Sequence, residues 1–482
     1  MNLSQAFSTL ILGISSGLIY SADQRVSQVI SEGQPIPDQG SGYYRNPIFS
    51  GNYGDPSIER VGDDYYMAFS RGNGVMLWHS RDLVNWAPVI RHRLPDGFDT
   101  VWAVDLQYFN GKFHVYMPIR DYPGKGNRGG FGNFVIRAGN VEGPWSEPIA
   151  LEIPDSPEGP LSAIDPGFVQ TPEGEKYLYV SKGWVVRLND EGTKAVSAPV
   201  KVYDGWEYPS DWVVECFCLE SPKLFYRNGF YFLVSAQGGT SGPSTAHMSV
   251  VARSRHPMGP WENSPYNPLH HTWSRNEPFW HQGHGTIFED TDGGWWTVYH
   301  GRLKDFTEMG RPTLLMPVEW TEDGWPVQKN TYIPGSLIPI PEGKNVGHGM
   351  PLSDDFDSNR LGPQWWFSQH AASSLRAGGG LLRMTASGNK QQDATAIYSF
   401  APNRSFEISA QVTGLSEGTT AGILVGDEGI VFDGKQVFFH DAPAWRHRHS
   451  VYPVNADAVW LKISNQEKDI SFYFSLDGKL WR

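Results

Sequence analysis

Apolar residues along this chain come in short, aromatic-rich runs, each bounded by Gly, Asn, Asp or Pro. The pattern is clearest from Gly54-Asp55-Pro56-Ser57-Ile58, through a turn at Gly62-Asp63-Asp64, into Tyr65-Tyr66-Met67-Ala68-Phe69-Ser70, closing at Asn85-Trp86. Runs this short, interrupted this often by turn residues, predict β-strands and exclude a helical solenoid. The outline then recurs. It restarts at Val101-Trp102-Ala103-Val104-Asp105, at Ala163-Ile164-Asp165-Pro166, at Leu219-Glu220-Ser221-Pro222 and at Gly283-His284-Gly285. The second and fourth copies turn at Asn110-Gly111 and Asn228-Gly229, the pair a tight hairpin prefers.

Each copy opens on an ionisable residue. These heads, Asp55, Asp105, Asp165, Glu220 and His284, lie 50, 60, 55 and 64 residues apart. A unit of that length with several strands matches one four-stranded propeller blade, so an all-β, five-bladed β-propeller is expected over residues 44–340. Equivalent heads would converge at one end of its central channel. A Gly-rich linker follows at 341–351, and then alternating strands near 381–385, 396–400, 406–412, 422–425, 437–439, 459–463 and 470–474. That spacing predicts a C-terminal β-sandwich, jelly-roll-like, over 352–482. Its last strand runs almost into Arg482, which leaves open a sandwich short of its final strands.

Composition narrows the partners. Gly 53, Pro 35 and 13% aromatic residues suit many strands joined by turns. A net charge of −13 argues against nucleic acid, and the densest basic run, Arg446-His447-Arg448-His449, reads as a surface turn. Cys216 and Cys218 are expected as buried free thiols, because strand neighbours two apart make a strained bridge. Residues 1–22 have the apolar core and small Ser21-Ala22 site of an export signal, although no Lys or Arg precedes the core. The run is too short and Gly/Ser-rich to span a membrane. An extracellular or periplasmic protein is expected, with a cytoplasmic amphipathic leader as the alternative; 23–43 reads as an extended lead-in, and nothing indicates an oligomeric state.

Two carboxyl groups facing each other across a pocket suit glycosidic bond cleavage. An inverting enzyme holds them about 6.5–9.5 Å apart, with a water between base and sugar. Asp55 and Glu220 are the candidates for base and acid, and Asp165 between them would raise the acid's pKa. Taken singly, an Asp-Pro after a turn is usually an Asx-turn. Asp105 reads as a turn residue rather than a pocket carboxylate, and Glu215 as pointing away from Glu220. His284 reads as a structural hydrogen bonder or an ion ligand. Specificity lies in the combination at repeat spacing.

With these residues in view, the chain resembles glycoside hydrolase family 43 over 44–340, with the family's accessory sandwich after it. The resemblance implies a propeller and an inverting mechanism, with Asp55 as general base, Asp165 as pKa modulator and Glu220 as general acid. It further implies that Trp102 and Ala103 line the sugar pocket, Val104 standing where the family motif has Pro. Arg311, in Gly310-Arg311-Pro312-Thr313, would bind sugar hydroxyls, with Pro312 in place of Glu. His284 would touch substrate and hold a structural calcium in the channel; no cofactor is required. The expected activity is exo-acting release of β-D-xylosyl units from xylo-oligosaccharides. Release of α-L-arabinofuranosyl units is the alternative, and a non-catalytic carbohydrate-binding propeller is the rival from another class.

Overall fold

The computed structural model describes residues 9–14, 17–20, 33–126, 129–159, 161, 163–367, 372–385, 394–426, 428–441 and 451–482. They are nearly all β. Five antiparallel sheets follow one another in chain order, each a blade. Blade one comprises Ser57–Val61, Asp64–Ser70, Gly74–Ser80 and Ala87–Arg93. The inner strands of the remaining blades are Asp105–Phe109, Gly167–Gln170, Cys216–Arg227 and Phe279–Glu289.

The hairpins follow from their turn residues. Asn110-Gly111 links Phe109 to its partner Lys112, and Asn228-Gly229 links Arg227 to Phe230. All four turn residues have positive φ, the type I′ geometry that Asn-Gly adopts at least cost. Alternate residues of each strand face the neighbouring blade. Apolar cores therefore fill the spaces between blades one and two, two and three, three and four, and four and five. The fifth core closes the ring between blades five and one around Phe49, Trp78 and Trp86.

Closure is also hydrogen-bonded. Tyr43–Arg45 pairs with Leu337–Pro339. The Asn46 amide donates to the Leu315 carbonyl and accepts from the Leu315 N–H, both at 2.9 Å. This latch joins chain segments about 270 residues apart, and it fixes the Gly51–Asp55 turn against blade five.

The C-terminal region forms two six-stranded antiparallel sheets around one apolar core. Strands Leu381–Met384, Thr395–Phe400, Ser405–Thr413, Ala421–Val425, Gln436–Asp441, Ala458–Gln466 and Asp469–Ser475 fall where the alternation placed them. Leu375–Ala377, Glu428–Phe432 and Val451–Pro453 are additional. The backbone of Thr9–Ile14 and Gly17–Tyr20 pairs within these two sheets. The expected cleavage site at 21–22, residues 23–32 of the lead-in and the basic run at 446–449 lie outside the described residues.

The cysteines depart from expectation. Cys216 and Cys218 form a disulfide, with Cα atoms 5.2 Å apart. Cys218 adopts a left-handed backbone (φ 44°) and the strand register shifts between Cys216 and Glu220. Regular alternation, the premise of the free-thiol expectation, does not hold there.

Candidate active site

One backbone feature recurs at the heads. Asp55, Asp165, Ser221 and His284 have φ of 58°, 54°, 51° and 56°. A left-handed residue bends the strand entry. It accompanies register shifts before Lys223 and around Gly283. The repeat thus delivers a kinked, polar head from blades one, three, four and five.

Asp55 is buried and ionised. Arg311 grips it with both arms, Nη1 to Oδ1 at 2.6 Å and Nη2 to Oδ2 at 2.7 Å. His284 Nδ1 and His300 Nδ1 each lie 3.1 Å from Oδ1. Burial alone would raise the Asp55 pKa, but Arg311, His284 and His300 outweigh it and hold the carboxyl well below the usual range. Gly54 makes the grip possible, because a Cβ there would meet Arg311 Nε at 2.7 Å.

Glu220 is the opposite case. Burial, then the charges of Asp165 and Asp55, push its pKa well above that of an ordinary carboxyl. Asp165 is pushed up to about 7 by burial and by Asp55, with Lys223 and the Ser221 N–H pulling the other way. The Ser221 N–H donates to Asp165 Oδ2 at 3.1 Å. Ligand atoms of Asp165, Glu220 and His284 all lie within 4.8 Å of one another. Asp165 has anion-stabilising neighbours, so the shared proton belongs on Glu220.

Glu215 is exposed and accepts from the Ser241 N–H at 2.6 Å, leaving Glu220 without a rival. Trp102 is 42% exposed and packs on Phe131 with ring centroids 4.5 Å apart, whereas Ala103 is buried.

Asp105 is neither turn nor pocket residue. It is sealed in the interior, 2.6 Å from Lys223 Nζ, and it accepts from Ser57 Oγ, the Phe168 N–H and Gln107 Nε2. Blades one to four meet at this carboxylate. The turn expectation fails because Lys223, on another blade, supplies the countercharge.

Two histidines escaped the sequence reading. His300 follows Tyr299 in the second strand of blade five, and His247 stacks on it at 5.2 Å and 5°. Both are fully buried. Gly283 leaves room for His247, since a Cβ would lie 2.2 Å from its ring. The available signal was the His that directly follows the apolar run Trp295-Trp296-Thr297-Val298-Tyr299.

A calcium at His284 is poorly matched by these side chains. His284 Nδ1 faces Asp55, whose two oxygens are taken by Arg311. The other carboxyl groups within reach among the described residues are Asp165 and Glu220. Calcium takes six to eight oxygens, so these side chains would leave most of its shell to backbone carbonyls and water.

Known proteins resemble this chain in sequence and fold. The family described as glycosyl hydrolases family 43 matches residues 44–326. A non-reducing-end α-L-arabinofuranosidase of Bacteroides ovatus is 32% identical over 360 residues, 69% of this chain and 62% of that protein. A xylan 1,3-β-xylosidase of a Vibrio species is 32% identical over 62% of this chain and 58% of its own. The chain therefore spans about three fifths of each of these relatives. The solved structure of the GH43 protein BlXynB from Bacillus licheniformis aligns with a TM-score of 0.75 at 26% identity, over 91% of this chain and 90% of that one. A family match over more than half the chain establishes that this protein belongs to glycoside hydrolase family 43.

Proposed function

We propose that the protein is an inverting exo-glycosidase releasing β-D-xylosyl units from xylo-oligosaccharides and hemicellulose. One observation carries the reading: a carboxylate held ionised and a carboxyl held protonated both stand within reach of His284. Asp55 takes a proton from water as its oxygen bonds to the anomeric carbon. The glycosidic C–O bond breaks, and Glu220 gives its proton to the departing oxygen. Asp165 keeps Glu220 protonated. Arg311 spends two of its five N–H groups on Asp55 and keeps others for sugar hydroxyls. Trp102 and Ala103 would wall the pocket. No cofactor is needed for this chemistry, and an exported location suits a polymeric substrate.

Release of α-L-arabinofuranosyl units is the second reading, favoured by the relative from Bacteroides ovatus. The intact trio of Asp55, Asp165 and Glu220 argues against a binding-only propeller. Hydrolysis of paired aryl β-D-xylopyranoside and α-L-arabinofuranoside substrates, with and without Asp55→Asn, decides among these. Xyloside cleavage lost on substitution supports the lead reading, and arabinofuranoside preference exchanges the sugars. Turnover untouched by the substitution would sink the Asp55 assignment. NMR of the first-formed anomer tests inversion.

A further inference from the structure

A second cavity, of about 550 Å³, lies between the outer strand of blade one and the sandwich. Ligand pockets are commonly this size. One wall is the edge strand Ala87–Arg93, whose period of two turns Arg91 and Arg93 to the same side. The opposite wall is built from Arg360, Trp365, Phe367 and Arg376. Four guanidinium groups thus share one cavity in a chain of net charge −13.

None of the four forms an ion pair among the described residues, and no described residue lining the cavity is acidic. The sequence between Phe367 and Ala372 also lacks Asp and Glu. Asp354, acceptor of the Trp365 indole, stands outside the lining. Instead, Arg91 donates to the Trp365 carbonyl and Arg376 to that of Leu375. The Arg93 guanidinium carbon sits 3.4 Å from the Phe367 ring centroid, so stacking fixes its plane. Carbonyls and rings orient these cations but leave their charge unneutralised. Burial, and then repulsion from Arg93 and Arg71, holds the Arg91 pKa well below its ordinary value, and burial lowers that of Arg93 to about 10.

Arginine stems also serve as plain packing, and cation–π stacking alone would account for one of them. It does not account for four cations around a solvent-sized space, two half-buried at the floor (Arg91, Arg93) and two exposed at the rim (Arg360, Arg376). We propose that this cavity is a second, non-catalytic glycan site, which takes a sugar bearing a carboxylate (a hexuronic acid branch) through these four arginines. The guanidinium fork matches a planar carboxylate with two parallel hydrogen bonds. The Trp365 and Phe367 wall suits the apolar face of a sugar ring better than a bare inorganic anion. Choosing a sugar acid among carboxylates rests on the glycosidase reading; the cation cage itself does not.

The test is calorimetric titration of the full chain carrying Asp55→Asn, which removes turnover. The ligands are a xylo-oligosaccharide with one glucuronic acid branch, its neutral counterpart, and inorganic phosphate. The acidic oligosaccharide should bind more tightly than the neutral one, and added NaCl should weaken it. The rim substitutions Arg360→Ala and Arg376→Ala should together lower its affinity about tenfold or more. In the enzyme retaining Asp55 they should leave cleavage of a neutral aryl xyloside unchanged. Equal binding of acidic and neutral sugars, or indifference to both rim substitutions, would overturn the site. Phosphate binding as tightly as the acidic oligosaccharide would overturn the sugar assignment. Failure of the glycosidase reading shows separately, as absent cleavage of neutral aryl substrates by the unsubstituted chain.

Discussion

Two buried carboxylates sit in the same propeller, each held by a cation at 2.6 Å, in contrasting surroundings. Asp105 and Lys223 have side-chain exposures of 1% and 6%; every oxygen of Asp105 faces protein. Asp55 and Arg311 have 11% and 28%, so their pair keeps some exposure. Asp105 is tied to Ser57, Phe168 and Lys223, and so binds four blades together. Asp55 is tied to one cation and two imidazoles. A salt bridge alone therefore does not mark a catalytic carboxylate. What marks it is residual access and a second carboxyl nearby of opposite protonation.

The comparison breaks if the two positions respond alike to removal of charge. Asp55→Asn should lower turnover by roughly 10² to 10⁴-fold, the range typical of general-base loss, and leave a folded protein. Asp105→Asn should instead cost about 3–5 kcal/mol of stability by stranding the Lys223 ammonium. Thermal unfolding and steady-state kinetics on both variants give the four numbers required. Lost stability in Asp55→Asn with unchanged turnover would reverse the two roles.

The difference between these sites also explains what could be read in advance. Asp55, Asp165, Glu220 and His284 were legible because a repeat marks equivalent positions; Gly or Pro flanks Asp55, Asp165 and His284, and Pro222 stands two residues past Glu220. The blade hairpins were legible from Asn-Gly pairs, a purely local signal. His300, His247 and Lys223 were not. Each lies in or beside an apolar strand, and its role depends on a partner more than 50 residues away. Arg311 was legible as a motif, yet its bidentate hold on Asp55 needs the ring to close across 256 residues. Cys216 and Cys218 misled because alternation was assumed through a stretch that carries a bulge.

Glu220→Gln sharpens the contrast within the pocket. A general acid matters in proportion to the weakness of the leaving group. Turnover of xylobiose should therefore fall by about 10²-fold or more, whereas an aryl glycoside with an acidic phenol should lose far less. The ratio of the two losses is the readout. Equal losses on both substrates would remove Glu220 from proton transfer.

Asp165→Asn has the smallest expected effect and tests the electrostatics directly. The proposed mechanism requires Asp55 ionised and Glu220 protonated. The acid limb of kcat/KM should lie below the usual carboxylate range, because Arg311, His284 and His300 keep Asp55 ionised against its burial. The alkaline limb follows loss of the proton held by the Asp165–Glu220 pair, within which burial and the Asp165 charge favour protonated Glu220. Removing that charge makes Glu220 easier to ionise, so the alkaline limb should move to lower pH. The acid limb should not rise, since Asp55 would lose only a repulsive neighbour. An alkaline limb left in place would mean that burial alone holds the Glu220 proton, and that Asp165 acts through its hydrogen bond to Ser221 instead of through its charge.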